Sequence, residues 1–462
     1  MMKDEKQIKV FTSSAENGMK VQRMNLKMSE EQQIAKVCHD NESLTSSLME
    51  KICHPANLNQ AYKRVKANKG AAGIDGKTVD DLQPHIATHK DTLIQSLLDG
   101  SYQPQPVRLV EIPKADGGVR QLGIPNVVDR LVQQAILQVL QPIYESDFSN
   151  SSFGFRPGKS AHQAIKQAQT YVQAGYRFVV DIDIERFFDR VNHDILMSHL
   201  AERIKDKRLL KIIRRFLEAG IMQGGVCLER IEGMPQGGPL SPLLSNVLLS
   251  KLDKELERRR HRFCRYADDC NIYVKSLRAG KRVLASIKRF LLDKLRLKLN
   301  EEKSDVAIVS ERQFLGFRLL WDGKISLAKK SEAKVKGIIR TLTKRTRGVS
   351  LEQVILELNE KLRGWINYFK ILETPSKLNR LDSWIRRKLR CYRLMQRRRN
   401  YPIATFLINL GVNMRVAWIT ALSGKGWWRL SGTPAMQQAM SIEWFGKQRL
   451  INLEQQAMLL KR

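Results

Sequence analysis

Two adjacent aspartates near the middle of the chain offer the clearest chemistry in the sequence. Asp268 and Asp269 end the Tyr-Ala-Asp-Asp sequence at 266–269, between two β-prone stretches, and this pattern predicts a hairpin whose turn presents two carboxylates. Adjacent carboxylates that lose water repel each other, so the arrangement is costly unless a cation shares them. Oxygen ligands of this kind favour Mg²⁺. The alternative is an Asx-type turn with two solvated acids.

A third acid, upstream in the chain, favours metal chemistry over a plain turn. Residues 180–184 alternate apolar and acidic side chains, so Asp181 and Asp183 share one face of a predicted strand. Ile182 and Ile184 lie on the opposite, buried face. Two-metal phosphoryl transfer requires a strand with one carboxylate beside an element that carries one or two more, around ions roughly 3.5–4 Å apart. The sequence supplies that set of residues.

The elements that position these acids belong to a large and strongly basic protein. The 462 residues predict about three or four domains, each able to bury its own core. The 80 Lys and Arg against 47 Asp and Glu leave a net charge of +33, which indicates a nucleic-acid partner. An anionic membrane is disfavoured because the sequence has neither an apolar run of about 18 residues nor a secretory signal. The six cysteines form no C-x-x-C pair, which predicts no zinc site and fits a reducing cytoplasm.

Five further sequence blocks surround the acids and indicate a family. They are Glu-Ile-Pro-Lys-Ala-Asp-Gly-Gly-Val-Arg-Gln-Leu-Gly-Ile-Pro at 111–125, Phe-Gly-Phe-Arg-Pro-Gly-Lys-Ser-Ala-His at 153–162, Gly-Met-Pro-Gln-Gly-Gly-Pro-Leu-Ser-Pro at 233–242, Leu-Asn-Glu-Glu-Lys-Ser at 299–304 and Phe-Leu-Gly-Phe at 314–317. With these blocks in this order around the acids, the chain resembles the reverse transcriptase/maturases that bacterial group II introns encode. The resemblance covers most of residues 60–320, and a basic region follows.

The resemblance implies an α+β fold, a right-hand polymerase followed by a helical domain. The expected divisions are a polar N-terminal extension at 1–45, fingers with part of the palm at 46–180, a palm with an antiparallel sheet and the catalytic aspartates at 181–328, a basic helical thumb or domain X at 329–402, and a small C-terminal DNA-binding segment at 403–462. No function is assigned to the extension.

The resemblance also implies roles for the acids. The family's metal-binding aspartate precedes an aromatic residue by five positions, and Asp183 precedes Phe188 by that number. Asp183, Asp268 and Asp269 are therefore expected to be catalytic and to bind two Mg²⁺ ions. Asp268 is expected to bridge the ions. Asp181 is either an outer contact of the site or a strand-edge acid without a catalytic part.

Three cations are expected to contact the triphosphate of the incoming nucleotide. Lys114 and Arg120 flank a Gly-Gly turn that can bend over the nucleotide, with the arginine binding phosphate in bidentate fashion. Lys303 follows an Asn-Glu-Glu stretch and is the third. Outside this family context, all three would be interpreted as ordinary surface charges.

Phe188, Gln236 and Arg156 complete the expected nucleotide and template contacts. Phe188 would lie beneath the ribose and exclude a 2′-hydroxyl, which makes dNTPs the substrate; if Phe188 is a core residue, Phe187 takes that role. Gln236 can donate hydrogen bonds near the templating pair, although a plain loop-to-helix turn would look similar. Arg156 is expected to touch template RNA or to brace the fingers.

The region 331–400 is helical in pattern and basic, with 19 Lys and Arg against 6 Asp and Glu. Apolar residues at 358, 362, 365, 366 and 369 follow helical spacing, and a second set at 381, 384, 385 and 389 repeats it. The alternative is a solvated helical bundle, but like charges this dense repel one another without an anion. RNA binding is therefore predicted for the cationic faces, at Lys361, Arg363, Arg386, Arg387 and Arg390.

The last segment, 403–462, is rich in Gly, Trp and Ser. Trp427 and Trp428 beside Arg429 either stack on unpaired bases or form the core of a small domain. Many members of the family end in an HNH-type endonuclease, which needs histidines. The last histidine here is His261, so the nuclease is not expected in the C-terminal third.

The sequence thus leads to one favoured function and two alternatives. The favoured function is an RNA-directed DNA polymerase that binds its group II intron RNA, assists its splicing and copies it into DNA at a target. Its partners would be intron RNA, an RNA template with a DNA primer, dNTPs and target DNA, in a bacterial cytoplasm at the nucleoid. The alternatives are a free-standing reverse transcriptase with a host role such as defence, and a splicing-only RNA-binding factor.

Overall fold

The computed structural model describes residues 47–113, 118–223 and 226–461. The chain divides into two compact units. The first contains the described residues up to Ala164 together with Val180–Val306, and the second contains Ile165–Val179 together with the residues from Ala307 onward. The predicted extension at 1–45 lies outside the described residues. The predicted boundary between 328 and 329 stays a prediction, because contacts group residues 307–328 with the helices that follow them.

One four-stranded sheet of the first unit has the order β2-β1-β4-β5. Strands β1 (Val107–Pro113) and β2 (Val119–Ile124) are antiparallel, as the Pro/Gly-punctuated sequence predicts, with Ile112 opposite Arg120. Lys114, in the connection between them, lies outside the described residues. Strand β4 (Ile221–Gln223) adds to β1 in parallel, and β5 (Val226–Leu228) pairs with β4 in antiparallel fashion.

The second four-stranded sheet carries the acids and has the order β6-β7-β3-β8. Strands β6 (Arg262–Tyr266) and β7 (Asp269–Val274) form the predicted antiparallel hairpin, with Tyr266 opposite Asp269. Strand β3 (Phe178–Ile182) lies beside β7, and β8 (Asp305–Ile308) forms the other edge. The burial pattern of β7 has only its first residue exposed, so the hairpin is rooted in the core.

Helices surround both sheets in the first unit. Most residues of helix α8 (Ser241–Arg258) are buried, including the polar residues Asn246 and Asp253 among its leucines. The remaining helices are α1 (Leu48–Cys53), α2 (Pro55–Ala67), α3 (Leu82–Leu98), α4 (Val127–Glu145), α6 (His193–Ala201), α7 (Lys207–Glu218) and α9 (Leu277–Leu295). Helix α5 (Ala161–Gln173) has residues in both units, because the division falls after Ala164. A 3₁₀ turn, Phe187–Asp189, follows β3.

The second unit is mainly helical, with one small antiparallel pair, β9 (Phe317–Leu319) and β10 (Ile325–Leu327). The predicted apolar faces are confirmed: α11 (Leu351–Phe369) buries Leu358, Leu362 and Ile366, and α12 (Pro375–Arg397) buries Leu381 and Leu389. The other helices are α10 (Lys329–Leu342), α13 (Asn400–Asn409), α14 (Met414–Leu422), α15 (Trp427–Leu430), α16 (Pro434–Ala439), α17 (Ile442–Lys447) and α18 (Leu453–Leu459). No helix among the described residues is both long and apolar enough to cross a lipid bilayer.

Candidate active site

The turn of the β6–β7 hairpin consists of Ala267 and Asp268, and Asp269 begins β7. Ala267 adopts the left-handed conformation, with φ of 59°. That conformation costs a residue with a side chain roughly 1–2 kcal/mol, so the surrounding contacts must hold it. The consequence is a sharp turn that places two consecutive carboxylates at the end of a buried hairpin.

Asp183 directly follows β3, and its backbone is fixed by the 300–304 turn. Its N–H donates to Ser304 Oγ at 3.0 Å, and its carbonyl accepts from the Asn300 N–H at 2.9 Å. Asp181 and Asp183 are half-buried while Ile182 and Ile184 are buried, which confirms the predicted alternation. Both acids therefore project from the same face at the end of one central strand.

The four carboxylates share one electrostatic field. The pKa of Asp269 is raised to about 6, first by loss of solvation and then by the negative charges of Asp268, Asp181 and Asp183. Asp269 keeps exposed surface, but the protein packed around its carboxyl removes enough water to penalise its charge. A divalent cation bound by oxygen ligands would neutralise the negative charge that these carboxylates concentrate here.

The donor set therefore fits Mg²⁺ in its chemistry. Within the described part of the chain, however, no group of three or more His, Cys, Asp or Glu side chains is close enough together to hold a metal ion. The charges of Asp183 and Asp268 raise the pKa of Asp269, but the three carboxylates do not form a complete metal-binding group in this structure.

A cavity of about 630 Å³ opens beside the hairpin acids, within the first unit. It is lined by Asp268, by the predicted nucleotide contacts Arg120, Phe188 and Gln236, and by residues from α2, α4 and the 236–242 segment. The sequence prediction did not include Arg130, Gln134 and Phe155, which also line it. Phe155 belongs to the Phe-Gly-Phe-Arg block, which was the available signal. The cavity combines a cation, an aromatic ring and a carboxylate in one space.

The two adjacent phenylalanines have different environments. Phe187 is buried at 2% exposure, and its ring meets the ring of Phe188 edge to face at 5.2 Å. Phe188 lines the cavity. The arrangement is the one expected if Phe188, rather than Phe187, faces a ribose, although its role there stays a prediction.

Gln236 is held by backbone contacts that require its glycine neighbours. The Gly123 N–H donates to the Gln236 carbonyl at 2.8 Å, which ties the segment to β2. Gly237 has φ of 129°, and a Cβ there would lie 2.8 Å from the Gly123 carbonyl oxygen. A Cβ at Gly238 would lie 2.4 Å from Gln133 Oε1. At these glycines the loop backbone therefore approaches β2 and α4 more closely than a side chain would allow.

The two described cations of the predicted triphosphate set are both solvent-accessible. Arg120 is exposed on β2 and lines the cavity. Lys303 is exposed, and its Nζ lies 3.9 Å from Asp183 Oδ2. Lys303 is thus placed beside a predicted metal ligand, where it partly offsets the negative field. A phosphate contact for either cation remains a prediction.

The prediction that Arg156 touches template RNA was wrong, and the alternative of a brace describes what the structure shows. Arg156 is buried, and its guanidinium pairs with Glu145 at 2.7 Å. It also donates to the carbonyls of Ser149 and Ser152. With its N–H groups directed at these partners, the side chain has no free face for a phosphate.

The second unit has a separate cavity of about 610 Å³ that is rich in arginine. Arg386 and Arg387 of α12 line it together with Arg390 and Arg429. Arg387 stacks over the Trp428 ring at 4.3 Å, and its Nε is buried without a hydrogen-bond partner. The lining has four arginines against one carboxylate, that of Glu443, so its excess positive charge suits an anion.

One arginine of this group was predicted on an exposed cationic face, and that placement was wrong. Arg390 is buried, and its Nε and Nη2 donate to the Met440 carbonyl at 3.0 and 2.7 Å. Burial, and secondarily the charge of Arg386, lowers the pKa of Arg390 to about 10. Lys361 and Arg363 are exposed on α11, as the amphipathic pattern predicts.

The tryptophans of the C-terminal segment are not its core. Trp428 is 40% exposed and Trp427 is half-buried, whereas Leu430, Met436 and Phe445 are buried. The sequence allowed these tryptophans either to stack on bases or to form the core of a small domain. The core is formed by other residues, so the second interpretation does not hold for them. Trp428 lies at the surface, where Arg387 stacks over its ring.

Comparison with known protein families gives two matches in chain order. Residues 112–319 match the family described as reverse transcriptase (RNA-dependent DNA polymerase). Residues 333–405 match the family described as group II intron, maturase-specific domain. The first match contains Asp183, Asp268 and Asp269, and the second contains helices α11 and α12.

Individual relatives agree with these matches. Protein YkfC of Escherichia coli (strain K12) is 35% identical over 314 residues, which is 59% of this chain and 82% of that protein. The group II intron-encoded protein LtrA of Lactococcus lactis subsp. cremoris is 32% identical over 66% of this chain, and the match spans 60% of LtrA's length. A chain of a solved partial Cas6-RT-Cas1–Cas2 complex is 26% identical in the matched region, which spans 54% of this chain and 43% of that one, with a TM-score of 0.36.

Reverse transcriptases as a family use Mg²⁺ for catalysis, and the maturase-specific domain implies an RNA partner. The acids, the block order, the two family matches and the extent of the match to YkfC agree with one another. The chain therefore belongs to the group II intron-encoded reverse transcriptase/maturases, and it is an RNA-directed DNA polymerase.

Proposed function

We propose that the chain copies its own intron RNA into DNA with two Mg²⁺ ions held by Asp183, Asp268 and Asp269, and that it binds that RNA to assist its splicing. The observation that carries the proposal is the raised pKa of Asp269, caused in part by three neighbouring carboxylates, beside a cavity large enough for a nucleotide. Bound Mg²⁺ would supply activation of the primer 3′-hydroxyl and neutralisation of the charge that develops on the leaving pyrophosphate.

The residues of the chain would act by position and charge. Asp268, in the cavity lining, and Asp183, at the end of β3, would direct oxygen ligands from two separate elements toward one point. Asp269 would become a ligand as an ion suppresses its raised pKa. This mechanism needs no side chain as general base, because phosphoryl transfer is driven mainly by positioning and electrostatics.

Nucleotide selection would depend on the cavity walls. Arg120 of β2, and Lys114 in the sequence between β1 and β2, would bind triphosphate oxygens, with Lys303 as a further contact. Phe188 would lie beneath the ribose and reject a 2′-hydroxyl, so that dNTPs are the substrates. Gln236 would hydrogen-bond at the templating pair from a loop that is fixed to β2.

RNA binding would use the basic faces of the second unit. Arg386 and Arg387 line the arginine-rich cavity, while Lys361 and Arg363 are exposed on α11. Their guanidinium and ammonium groups would contact backbone phosphates, which gives affinity that depends strongly on salt. Arg390 would contribute charge to the cavity floor while its N–H groups remain bonded to Met440.

Target DNA is a further partner in this proposal, with the segment 403–462 as its binding region and the nucleoid of a bacterial cytoplasm as the location. The exposed Trp428 beside Arg387 supports a base-stacking surface, since stacking on aromatic rings tolerates any sequence. The primer for copying would come from the target DNA.

The decisive experiment is primer extension on an RNA template with dNTPs and Mg²⁺, with wild type compared to Asp268→Ala. We expect extension by the wild type and a loss of at least a thousandfold in the variant. Asp91→Ala, which removes an exposed acid from α3, is the matched control and should extend like wild type. Equal extension by Asp268→Ala and wild type would refute the assignment of the acids.

A second measurement separates the alternatives. A splicing-only factor would lack extension in the wild type while still promoting splicing of a group II intron. A free-standing polymerase would extend primers but would not co-purify with a specific structured RNA. We expect both extension and co-purification, and the gene is expected to lie within a sequence that folds as a group II ribozyme.

A further inference from the structure

Arg265, the residue immediately before the Tyr-Ala-Asp-Asp sequence, is the largest fully buried side chain in the described part of the chain, at 0% exposure. A buried guanidinium is costly unless every donor has a partner. Asp253 of α8, also at 0% exposure, provides the first two bonds: Arg265 Nε donates to Asp253 Oδ1 at 2.7 Å, and Nη2 donates to Oδ2. The pair is bidentate and excluded from water.

The remaining arm of the guanidinium reaches the catalytic turn. Arg265 Nη1 donates to the carbonyl of Ala267 at 2.8 Å, and also to Asn246 Oδ1 at 2.9 Å. Ala267 is the residue with φ of 59°, and its carbonyl belongs to the peptide that leads into Asp268. One buried side chain therefore holds the peptide that orients the first hairpin carboxylate.

A second surface confines the same turn from outside the hairpin. The Asn246 side chain donates through Nδ2 to the Gly154 carbonyl at 2.9 Å, so one amide bonds both Arg265 and the 151–154 segment. A Cβ built on Gly154 would lie 2.2 Å from the Ala267 nitrogen. The Ala267 peptide is thus contacted by the Arg265 guanidinium and packed closely against the backbone of Gly154.

Buried ion pairs contribute little to stability on balance, because the cost of desolvation offsets the attraction between the charges. Stability is therefore a weak reason for a fully buried Arg–Asp pair at this location. A pair with one arm bonded to a strained turn has a more specific use, which is to fix a conformation that the turn would not keep on its own.

We propose that Arg265, with Asp253 and Asn246, is a positioning cluster that sets the orientation of the Asp268 and Asp269 carboxylates toward divalent metal. The inference rests on the proposed polymerase function for its consequence, but its direct effect is on metal binding. Arg265 is fully buried, so it acts on the carboxylates through the Ala267 peptide and not through substrate.

The test removes both charges together, so that no lone charge remains buried. Arg265→Met/Asp253→Leu replaces the pair with apolar side chains of similar size, a change that is often neutral for folding. We expect a melting temperature within a few degrees of wild type. We expect Mg²⁺ affinity, measured by isothermal titration calorimetry, and kcat each to fall roughly 10- to 100-fold, as with other residues that support metal ligands.

Arg347→Met/Glu357→Leu is the matched control. Arg347 also joins a carboxylate, that of Glu357, and a backbone carbonyl, that of Leu342, but it belongs to the second unit. It should leave Mg²⁺ affinity unchanged. Wild-type Mg²⁺ affinity in a folded Arg265→Met/Asp253→Leu variant would overturn the inference.

Gly154→Ala tests the positioning cluster while leaving Arg265 and Asp253 unchanged. It provides the test of the inference if the Arg265→Met/Asp253→Leu variant does not fold. Its Cβ must displace the Ala267 peptide, so we expect weaker Mg²⁺ binding with the Arg265–Asp253 pair intact. Unchanged Mg²⁺ affinity in Gly154→Ala would contradict the inference. Because calorimetry does not require turnover, an inactive wild type that still shows these differences would refute the polymerase proposal and leave the positioning cluster standing.

Discussion

The backbone N–H of Met234 donates to the carbonyl of Phe188 at 2.7 Å, which ties the aromatic residue of the cavity to the loop that carries Gln236. The Gly233 N–H makes a parallel tie to the Val191 carbonyl at 2.8 Å, and His193 Nε2 lies 2.6 Å from the Gly233 carbonyl oxygen. The backbone of Phe188 is therefore hydrogen-bonded to the loop that carries Gln236 two residues after Met234. A change in one is expected to disturb the other only if it displaces this shared backbone.

Phe188→Ala should admit ribonucleotides. The substitution removes the ring from the cavity and leaves the backbone bond to Met234 in place, so the steric barrier to a 2′-hydroxyl disappears. We expect discrimination between dNTP and rNTP, as the ratio of kcat/KM values, to fall roughly 10- to 200-fold. Single-nucleotide extension with each substrate measures the ratio. Phe187→Leu is the control for loss of an aromatic residue behind the cavity, and unchanged discrimination in Phe188→Ala would place the barrier elsewhere.

Gly237→Ala should raise the KM for dNTPs and lower kcat. A Cβ there lies 2.8 Å from the Gly123 carbonyl oxygen, so the loop must move away from β2 and carry Gln236 with it. A displacement of about 1 Å costs roughly 100-fold in rate at a preorganised site. Gly76→Ala also places a side chain at a positive φ, of 70°, but with nothing within 4 Å, so it should affect stability without affecting KM. Equal kinetics for both variants would argue against a positional role for the loop.

Arg386→Gln/Arg387→Gln should flatten the salt dependence of RNA binding. Each lost phosphate contact is expected to reduce the slope of log K against log salt by about 0.7–0.9. Filter binding of a structured group II intron RNA over a range of salt concentrations gives the slope. Arg415→Gln removes an exposed arginine of α14 outside the cavity lining and serves as the control. A slope unchanged by the double substitution would remove the cavity from the RNA interface.

Asp129→Asn should flatten the dependence of stability on pH. Asp129 is buried and accepts from the Tyr102 hydroxyl at 2.8 Å, and burial is the main cause that raises its pKa to about 7. The unfolded chain releases this proton near pH 4, so the stabilising contribution is complete below that pH and is lost as pH rises through 7. The loss amounts to about 4 kcal/mol by linkage.

Urea unfolding of wild type and Asp129→Asn between pH 4 and 8 checks this prediction, because other groups cancel in the difference between the two proteins. Asp91→Asn, at an exposed site on α3, should show no such difference. Parallel pH curves for wild type and Asp129→Asn would contradict the protonated state of Asp129.

Local pattern was sufficient to predict the parts of the site that depend on short-range geometry. The hairpin at 262–274 and the alternation at 180–184 follow from period two, and both are present. Helix spacing likewise predicted the buried faces of α11 and α12. These features depend on residues within a few positions of one another, so the sequence contains them directly.

The side-chain contacts that depend on tertiary packing could not be predicted from the spacing of residues in the sequence. Arg265 lies only 12 residues from Asp253, but the pairing requires α8 to pack against β6, which no spacing rule gives. Arg156 was interpreted partly as an RNA contact because a lone arginine in a loop carries no sign of the carbonyls that surround it. The same reason explains Arg390, whose partner Met440 is 50 residues away.

The parallel pairing of β1 with β4 joins segments that lie more than 100 residues apart, since Arg108 pairs with Met222. During synthesis, the β1–β2 ribbon exists for some time with one edge unpaired, until the ribosome has delivered the residues that cover it. An uncovered edge is where strands from other chains attach. The β1 edge is therefore open to aggregation with other chains during translation until the residues of β4 have been made.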